Sequence, residues 1–417
     1  MSPRFEILPN NLKVVLAPCE AQSAAIGFFV SIGSRHEPPR LSGISHFIEH
    51  MLFKGTPTRR AIDITRAIEG RGGVFNAYTS EETTCYYAHI PSEYSIEAID
   101  ILSDMFLNAL IDDCDFALEK NVIIEEIKMY ADDPGAVAME TLQRNLFNAS
   151  RLGAPVAGTV DSLGPLTSKT LRSFVKSNYT FDNLLVVVSG NFDEKQIIDK
   201  LSSVKRPAKG RKMNDVFADH PAKAPVSYSL IKKDINQVQL ALGYKMFGFR
   251  DARRFAATIL DAILGRGMSS RLFQEIREKR ALSYDVSSRI SLFDDAGIFS
   301  ITSGMHVDKA AQTLRVIDKE LKRIVCRRVS AAELARTKEF IIGNFKLAHE
   351  LITAKMFSYA SSMKIFGKLV TPEEQVELLR AVSANDVFEV ANEIFDAGNR
   401  SVSWVVPNSA DESKFPE

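Results

Sequence analysis

The second half of this sequence repeats the first in outline, and a repeat of that size leaves few architectures open. QVQLALGYKMFGF (237–249) follows the pattern of AAIGFFVSIGSR (24–35), a strand rich in β-branched and aromatic residues. LSYDVSSRISLFDDAGIFSITSG (282–304) follows VFNAYTSEETTCYYAHI (74–90), and both read as long alternating β hairpins. The helical pair Lys309–Val325 and Ala331–Phe345 matches Ser92–Asn108 and Phe116–Tyr130, and residues 382–406 parallel 166–188. Self-similarity over about 200 residues predicts two domains of one α+β fold, each a mainly antiparallel sheet covered by helices. Between them KRPAKGRKMNDVFADHPAKAP is rich in Pro, Gly and basic residues and has no hydrophobic period. The expected division is 1–204, a linker at 205–225 and 226–417, with Lys205, Arg206, Lys209, Arg211 and Lys212 as solvated linker charges.

The halves part company at one helix. LSGISHFIEHMLF (41–53) carries His46, Glu49 and His50, whereas its counterpart FAATILDAILGRG (255–267) has Ala257, Leu260 and Asp261 in their places. Residues four apart on a helix project side by side, so His46 and His50 can share one metal ion. Glu49 sits at the edge of that face, within reach of a water on the metal without being forced to bind it. Ile44, Phe47, Ile48, Met51 and Leu52 cover the remaining faces, and a helix buried on most sides needs a reason to hold two imidazoles and a carboxylate. The order H-x-x-E-H is the inverted zincin signature. Only the first half can hold the metal.

A catalytic zinc takes three protein ligands and keeps a fourth position for water. DFALEKNVIIEEIKMY (115–130) offers Glu119, Glu125 and Glu126 as the third. Glu119 and Glu126, seven apart, share one face of that helix, and the apolar residues around them imply that the stretch is enclosed rather than solvated.

Composition narrows the partners. Lys and Arg total 52 and Asp and Glu 52, so the formal net charge is zero and nothing favours nucleic acid or an anionic membrane. Cys19, Cys85, Cys114 and Cys326 have neither paired nor metal-type spacing, which suits a reducing compartment. No apolar run approaches the length of a membrane span, and the N-terminal FEILPNNLKVVLAP reads as a hairpin around Pro9-Asn10-Asn11 rather than an export signal. These features read as a cytoplasmic protein, a reading that a mitochondrial matrix protein without its presequence would share.

From LPNNLKVVLAP through HFIEHMLFKGT, NAYTSEETTCYYAHI and EKNVIIEEI to GRGMSSRLFQEIREKRALSY, the chain resembles the pitrilysin-type zinc peptidases. Within them it is most similar to the processing peptidases, typified by the catalytic β subunit of the mitochondrial processing peptidase and its bacterial relatives. The resemblance implies one zinc ion on His46, His50 and Glu126, Glu49 as general base, and Glu119 supporting the site from behind. It implies that Phe75, Asn76, Ala77 and Tyr78 lie on an edge strand that binds an extended peptide by adding it to the sheet. It also implies that Arg277 binds substrate and that Tyr284 donates to the oxyanion. Ala281 stands where many relatives have Gly. Of two acidic positions that read arginine in processing relatives, Glu140 matches and Ala136 does not.

The expected activity is zinc-dependent hydrolysis of unstructured or presequence-like peptides inside a chamber. Because one chain carries both the zinc motif and the Arg277/Tyr284 pair, a homodimer completing each site in trans is expected. The alternatives are a catalytic subunit needing a separate partner chain, and a structural subunit like the respiratory-complex core proteins, which loss of the zinc ligands would signal.

Overall fold

The structure, a computed structural model, describes residues 2–148, 150–205 and 226–416. The expected linker therefore lies, from 206 to 225, outside the described residues. The rest divides into two compact units.

The first unit is built on a sheet of β1 (Arg4–Ile7), β2 (Lys13–Pro18), β3 (Ser23–Val30), β4 (Val74–Thr79), β5 (Thr84–Pro91) and β6 (Leu184–Gly190). Their order is β1-β2-β6-β3-β5-β4, parallel between β2 and β6 and antiparallel elsewhere. The N-terminal residues form the expected hairpin, with Arg4 opposite Leu16. One face of the sheet packs on α1 (Ile44–Leu52), α2 (Ser95–Asn108) and α3 (Asp113–Asp132), through a core that includes Ile26, Phe28, Phe47, Ile99, Leu102 and Ile123. Each such side chain, removed from water, stabilises the fold by roughly 1.5–3 kcal/mol.

Among the described residues, the second unit repeats this plan without a counterpart of β1. Its strands are β7 (Ser227–Lys233), β8 (Val238–Phe247), β9 (Ser283–Leu292), β10 (Ala296–Met305) and β11 (Arg400–Pro407), ordered β9-β10-β8-β11-β7. The one parallel pair, β7 with β11, corresponds to β2 with β6. The hairpin of β9 and β10 thus takes the place of β4 and β5, as the sequence repeat requires. Helices α4 (Pro134–Phe147), α5 (Arg254–Gly265), α6 (Ala310–Cys326) and α7 (Ala331–Ala348) follow in chain order.

The units do not follow the linear order of the halves. Residues 128–153 belong to the second unit and 346–370 to the first. Both sheets have two apolar faces, and the helices of the repeat cover one. The other face of the second sheet is covered by α4, whose Leu142, Leu146 and Phe147 pack on Ala241, Ile298 and Val405. The other face of the first is covered by α8 (Ile352–Phe366), whose Met356, Tyr359 and Ala360 pack on Ala25, Phe29 and Val187. Each covering helix lies over a glycine of the central strand. A Cβ at Gly27 would meet Met356 Sδ at 2.9 Å, and one at Gly243 would meet Leu142 Cδ2 at 2.8 Å.

Candidate metal centre

The helix α1 begins under tight control. Its N-cap, Gly43, has φ +91°, and a Cβ there would meet the Ala157 carbonyl oxygen at 2.6 Å, so only glycine fits. No side chain at the cap satisfies the free N–H groups. Instead the buried carboxylate of Glu37 accepts from the N–H of Gly43 and of Ser45, both at 2.7 Å. A negative charge at a helix N-terminus is also favoured by the helix dipole. Beside Glu37 in sequence, the fully buried Arg35 pairs with Glu82 at 2.8 Å, and Glu82 pairs with Lys364 of α8 at 3.0 Å. The first turn of α1 is thereby fixed by buried charges on the loop before it.

Ile44, Phe47, Ile48, Met51 and Leu52 are all buried, as their spacing predicts. The opposite face carries His46 and His50, whose ring centroids are 4.7 Å apart. From α3, Glu126 brings one carboxylate oxygen to 3.7 Å from His46 Nε2 and 3.5 Å from His50 Nε2. One ligand atom from each of the three lies within 4.8 Å of the others. Zinc bound tetrahedrally at about 2.0–2.2 Å from each donor would set them about 3.4 Å apart, so two imidazoles and one carboxylate at this spacing fit the ion.

The helix α3 supplies the two glutamates but is not enclosed as its sequence suggested. Only Glu119 and Ile123 of its side chains are buried, while Leu118, Val122, Met129 and Tyr130 are exposed. Its apolar residues divide between the core and solvent, so apolar composition did not report enclosure. The heptad spacing did report the shared face: Glu119 and Glu126 both turn toward α1, and Glu125 is exposed outside the cluster. Glu119 Oε1 meets His50 Nδ1 at 2.8 Å, and its other oxygen pairs with the Lys54 ammonium. This bond places the Nδ1 proton toward Glu119 and leaves His50 Nε2 on the Glu126 side with its lone pair free.

Electrostatics prepare the groups differently. Burial, reinforced by the neighbouring His50, lowers His46 to about 4, so it is a neutral donor at ordinary pH. Burial pulls His50 down as well, but the bond and charge of Glu119, with Glu126 and Glu49, outweigh it and raise the imidazole. For Glu119 burial acts upward and is overcome by hydrogen bonds from His50 and Lys54, leaving it below the usual carboxylate range. Glu49 is raised by burial against the opposing bond from Thr79, whose hydroxyl donates to Glu49 Oε2 at 2.5 Å.

Thr79 ends β4, which pairs only with β5 among the described residues and so leaves a free edge. Phe75, Ala77 and Thr79 alternate toward the α1 side, with Phe75 4.9 Å from Phe53, while Val74, Asn76 and Tyr78 are exposed. The Ala77 N–H donates to Asn76 Oδ1 at 2.8 Å.

Arg277 and Tyr284 lie in the second unit, at a helical turn (Phe273–Glu278) and on its edge strand β9. The Arg277 guanidinium stacks 4.4 Å over the Tyr284 ring, which is 80% exposed. Ala281 between them has φ +48°, a left-handed conformation that explains why glycine suits this position. Glu140 is tied to Arg144 at 2.6 Å on the exposed side of α4.

The sequence reading missed Glu37, Lys54 and Thr79. Thr79 alone left a signal, because it continues the period-2 face of Phe75 and Ala77.

Residues 13–160 match the family model described as insulinase, peptidase family M16, and 165–341 match the M16 peptidase inactive domain. The chain is 36% identical over 404 residues to an uncharacterized zinc protease of Rickettsia felis, covering 95% of this chain and 96% of the relative. It is 33% identical over 392 residues to another from Bacillus subtilis, covering 93% and 94%. A crystal structure of a protease from Helicobacter pylori has the same fold, with TM-score 0.91, 22% identity and coverage of 98% and 100%.

Proposed function

Because the chain belongs to the M16 family of zinc proteases, we propose that it is a zinc-dependent endopeptidase acting on unstructured oligopeptides. The observation that carries this reading is the convergence of His46, His50 and Glu126 beside Glu49, which no other helix face reproduces among the described residues. His46, His50 and Glu126 would hold one zinc ion, which when bound polarises a water and the scissile carbonyl. Thr79 holds one oxygen of Glu49, and the other accepts the proton of the attacking water and delivers it to the leaving amine. The upward shift of Glu49 by burial brings it nearer the pH at which a group can serve as base and then as acid. Glu119 orients His50, and the free edge of β4 at Phe75–Tyr78 pairs with the main chain of the substrate.

Arg277 and Tyr284 are the substrate-binding and oxyanion-stabilising groups of this proposal, supplied by a second copy of the chain in a homodimeric chamber. The finer likeness to processing peptidases supports presequence-like peptides as one substrate class. An intact set of metal-binding side chains favours an enzyme over a structural subunit.

The first test is cleavage of a mixed set of unstructured peptides by the zinc-loaded protein, read by mass spectrometry. Wild type should cut, and Glu49→Gln should bind zinc without cutting. A fully active Glu49→Gln variant removes Glu49 from the mechanism. For the dimer, inactive His50→Ala and Tyr284→Phe chains are mixed; regained activity supports sites shared in trans, and no regain refutes it.

A further inference from the structure

A groove of about 550 Å³ opens in the first unit at the end of β4 far from Glu49. That volume is in the range of ligand sites, roughly 300–1,000 Å³. Ser23 at the start of β3, His89 near the end of β5, Glu93 just beyond it and Asn191 after β6 line it, and Val74 is on its rim. Gly72 leaves that rim open, since a Cβ there would touch nothing within 4 Å. The wall is polar and ordered: Ser23 Oγ and His89 Nε2 are hydrogen-bonded at 2.9 Å. Glu93 is the only Asp, Glu, Lys or Arg side chain lining the groove, is exposed, and forms no ion pair among the described residues.

Position along the edge strand gives the groove its meaning. Thr79, which bonds Glu49, and Val74, on the rim, are the two ends of β4. Five residue steps of an extended chain span about 17 Å. A peptide adding to β4 in the commoner, antiparallel sense runs from Thr79 toward Val74 in its own N-to-C direction. The part of the peptide beyond the scissile bond is then the part that reaches the groove.

Resting on the peptidase reading above, we propose that this groove is a subsite for the leaving-group side of the substrate, receiving about the fifth residue past the cut and preferring a basic side chain there. Glu93 supplies the charge, and Ser23, His89 and Asn191 supply polar contacts to the peptide. The subsite sets a preferred product length as well as a side-chain preference.

The test uses two peptide series around one cleavable centre. One lengthens the leaving side from two to seven residues, the other lengthens the acyl side, and each fifth residue is Lys, Ala or Glu. On the leaving side KM should fall when the fifth residue is present, with kcat unchanged, and Lys should be better than Glu by about fivefold, the scale of a partly exposed ion pair. Glu93→Gln should abolish the Lys preference and His89→Ala should weaken the length step, while both variants cut the two-residue series as wild type does. Peptide binding to Glu49→Gln should show the same step. No step on the leaving side, a step on the acyl side only, or a Lys preference that survives Glu93→Gln overturns the subsite while the peptidase stands. Absence of cleavage in every series overturns the peptidase reading, and the subsite with it.

Discussion

The buried Asp261 makes a quantitative prediction about the half of the chain that lacks the metal motif. It lies on α5 at 2% exposure, accepts from Ser288 Oγ at 2.6 Å and meets Arg266 Nε at 3.1 Å. Burial, only partly offset by Ser288, Arg266 and Arg289, raises its carboxyl from an ordinary 3.8 to about 6. Near pH 3 both folded and unfolded chains hold this proton, and the group costs nothing. Between about 4 and 6 the folded chain keeps a proton that the unfolded chain has released, so stability falls as pH rises; above that window both are ionised and the full penalty persists. At about 1.4 kcal/mol per tenfold change in proton affinity, the penalty is about 3 kcal/mol. Asp261→Asn removes the charge and keeps an acceptor for Ser288. The variant should match wild type near pH 3.5 and be more stable by up to about 3 kcal/mol at pH 8. Urea unfolding followed by Trp404, the only tryptophan and fully buried in this unit, reads the effect directly. Parallel stability profiles for the two proteins from pH 4 to 8 would refute the reasoning.

Three further outcomes follow from the first unit. Glu37→Gln keeps one acceptor for two N–H groups and removes the charge at the start of α1, so a loss of about 1.5–3 kcal/mol in chemical denaturation should accompany weaker zinc binding; unchanged zinc affinity would disconnect the cap from the site. Glu119→Gln should leave the fold intact and lower zinc affinity about 10–100-fold, measured by competition with a chromophoric chelator. Gly27→Val places side-chain atoms where a Cβ alone would lie 2.9 Å from Met356 Sδ, so thermal unfolding should come at lower temperature by an amount equivalent to about 1–3 kcal/mol; an unaltered transition would show that α8 can move away from the sheet.

What could be read in the sequence is what short-range periodicity encodes. The helix bearing His46 and His50, the shared face of Glu119 and Glu126, both hairpins and the repeated α+β plan follow from spacings of two, four and seven residues. The choice of Glu126 over Glu119 did not follow from spacing, since both face α1, and only the family resemblance separated the candidate metal ligand from the residue that bonds His50. Glu37 and Lys54 were missed because each acts through a contact that its own neighbours do not announce, and Thr79, although it continues the face of Phe75 and Ala77, because that alternation does not reveal the contact with Glu49. The exchange of α4 and α8 was missed for a related reason: an amphipathic helix shows that it has an apolar face, not which of two apolar sheet faces it will cover.

The second unit shows why its helix is packed as a core element rather than as a site lacking three ligands. Ala257 and Leu260, where the first half has His46 and Glu49, are fully buried in that unit's core. An imidazole at 257 would overfill packed space, and a carboxylate at 260 would bury a charge without a partner, each costing several kcal/mol before any metal could bind. At the third position Asp261 keeps a charge inside only because Ser288 and Arg266 meet it. In the first unit His50, Glu49 and the first N–H groups of the corresponding helix are likewise met from outside it, by Glu119, Thr79 and Glu37. A buried polar helix face therefore depends on partners from several other elements, and a copy of the helix alone could neither gain the site nor keep it. This is why the repeat preserves strand order and helix positions while the candidate metal cluster is found in one half.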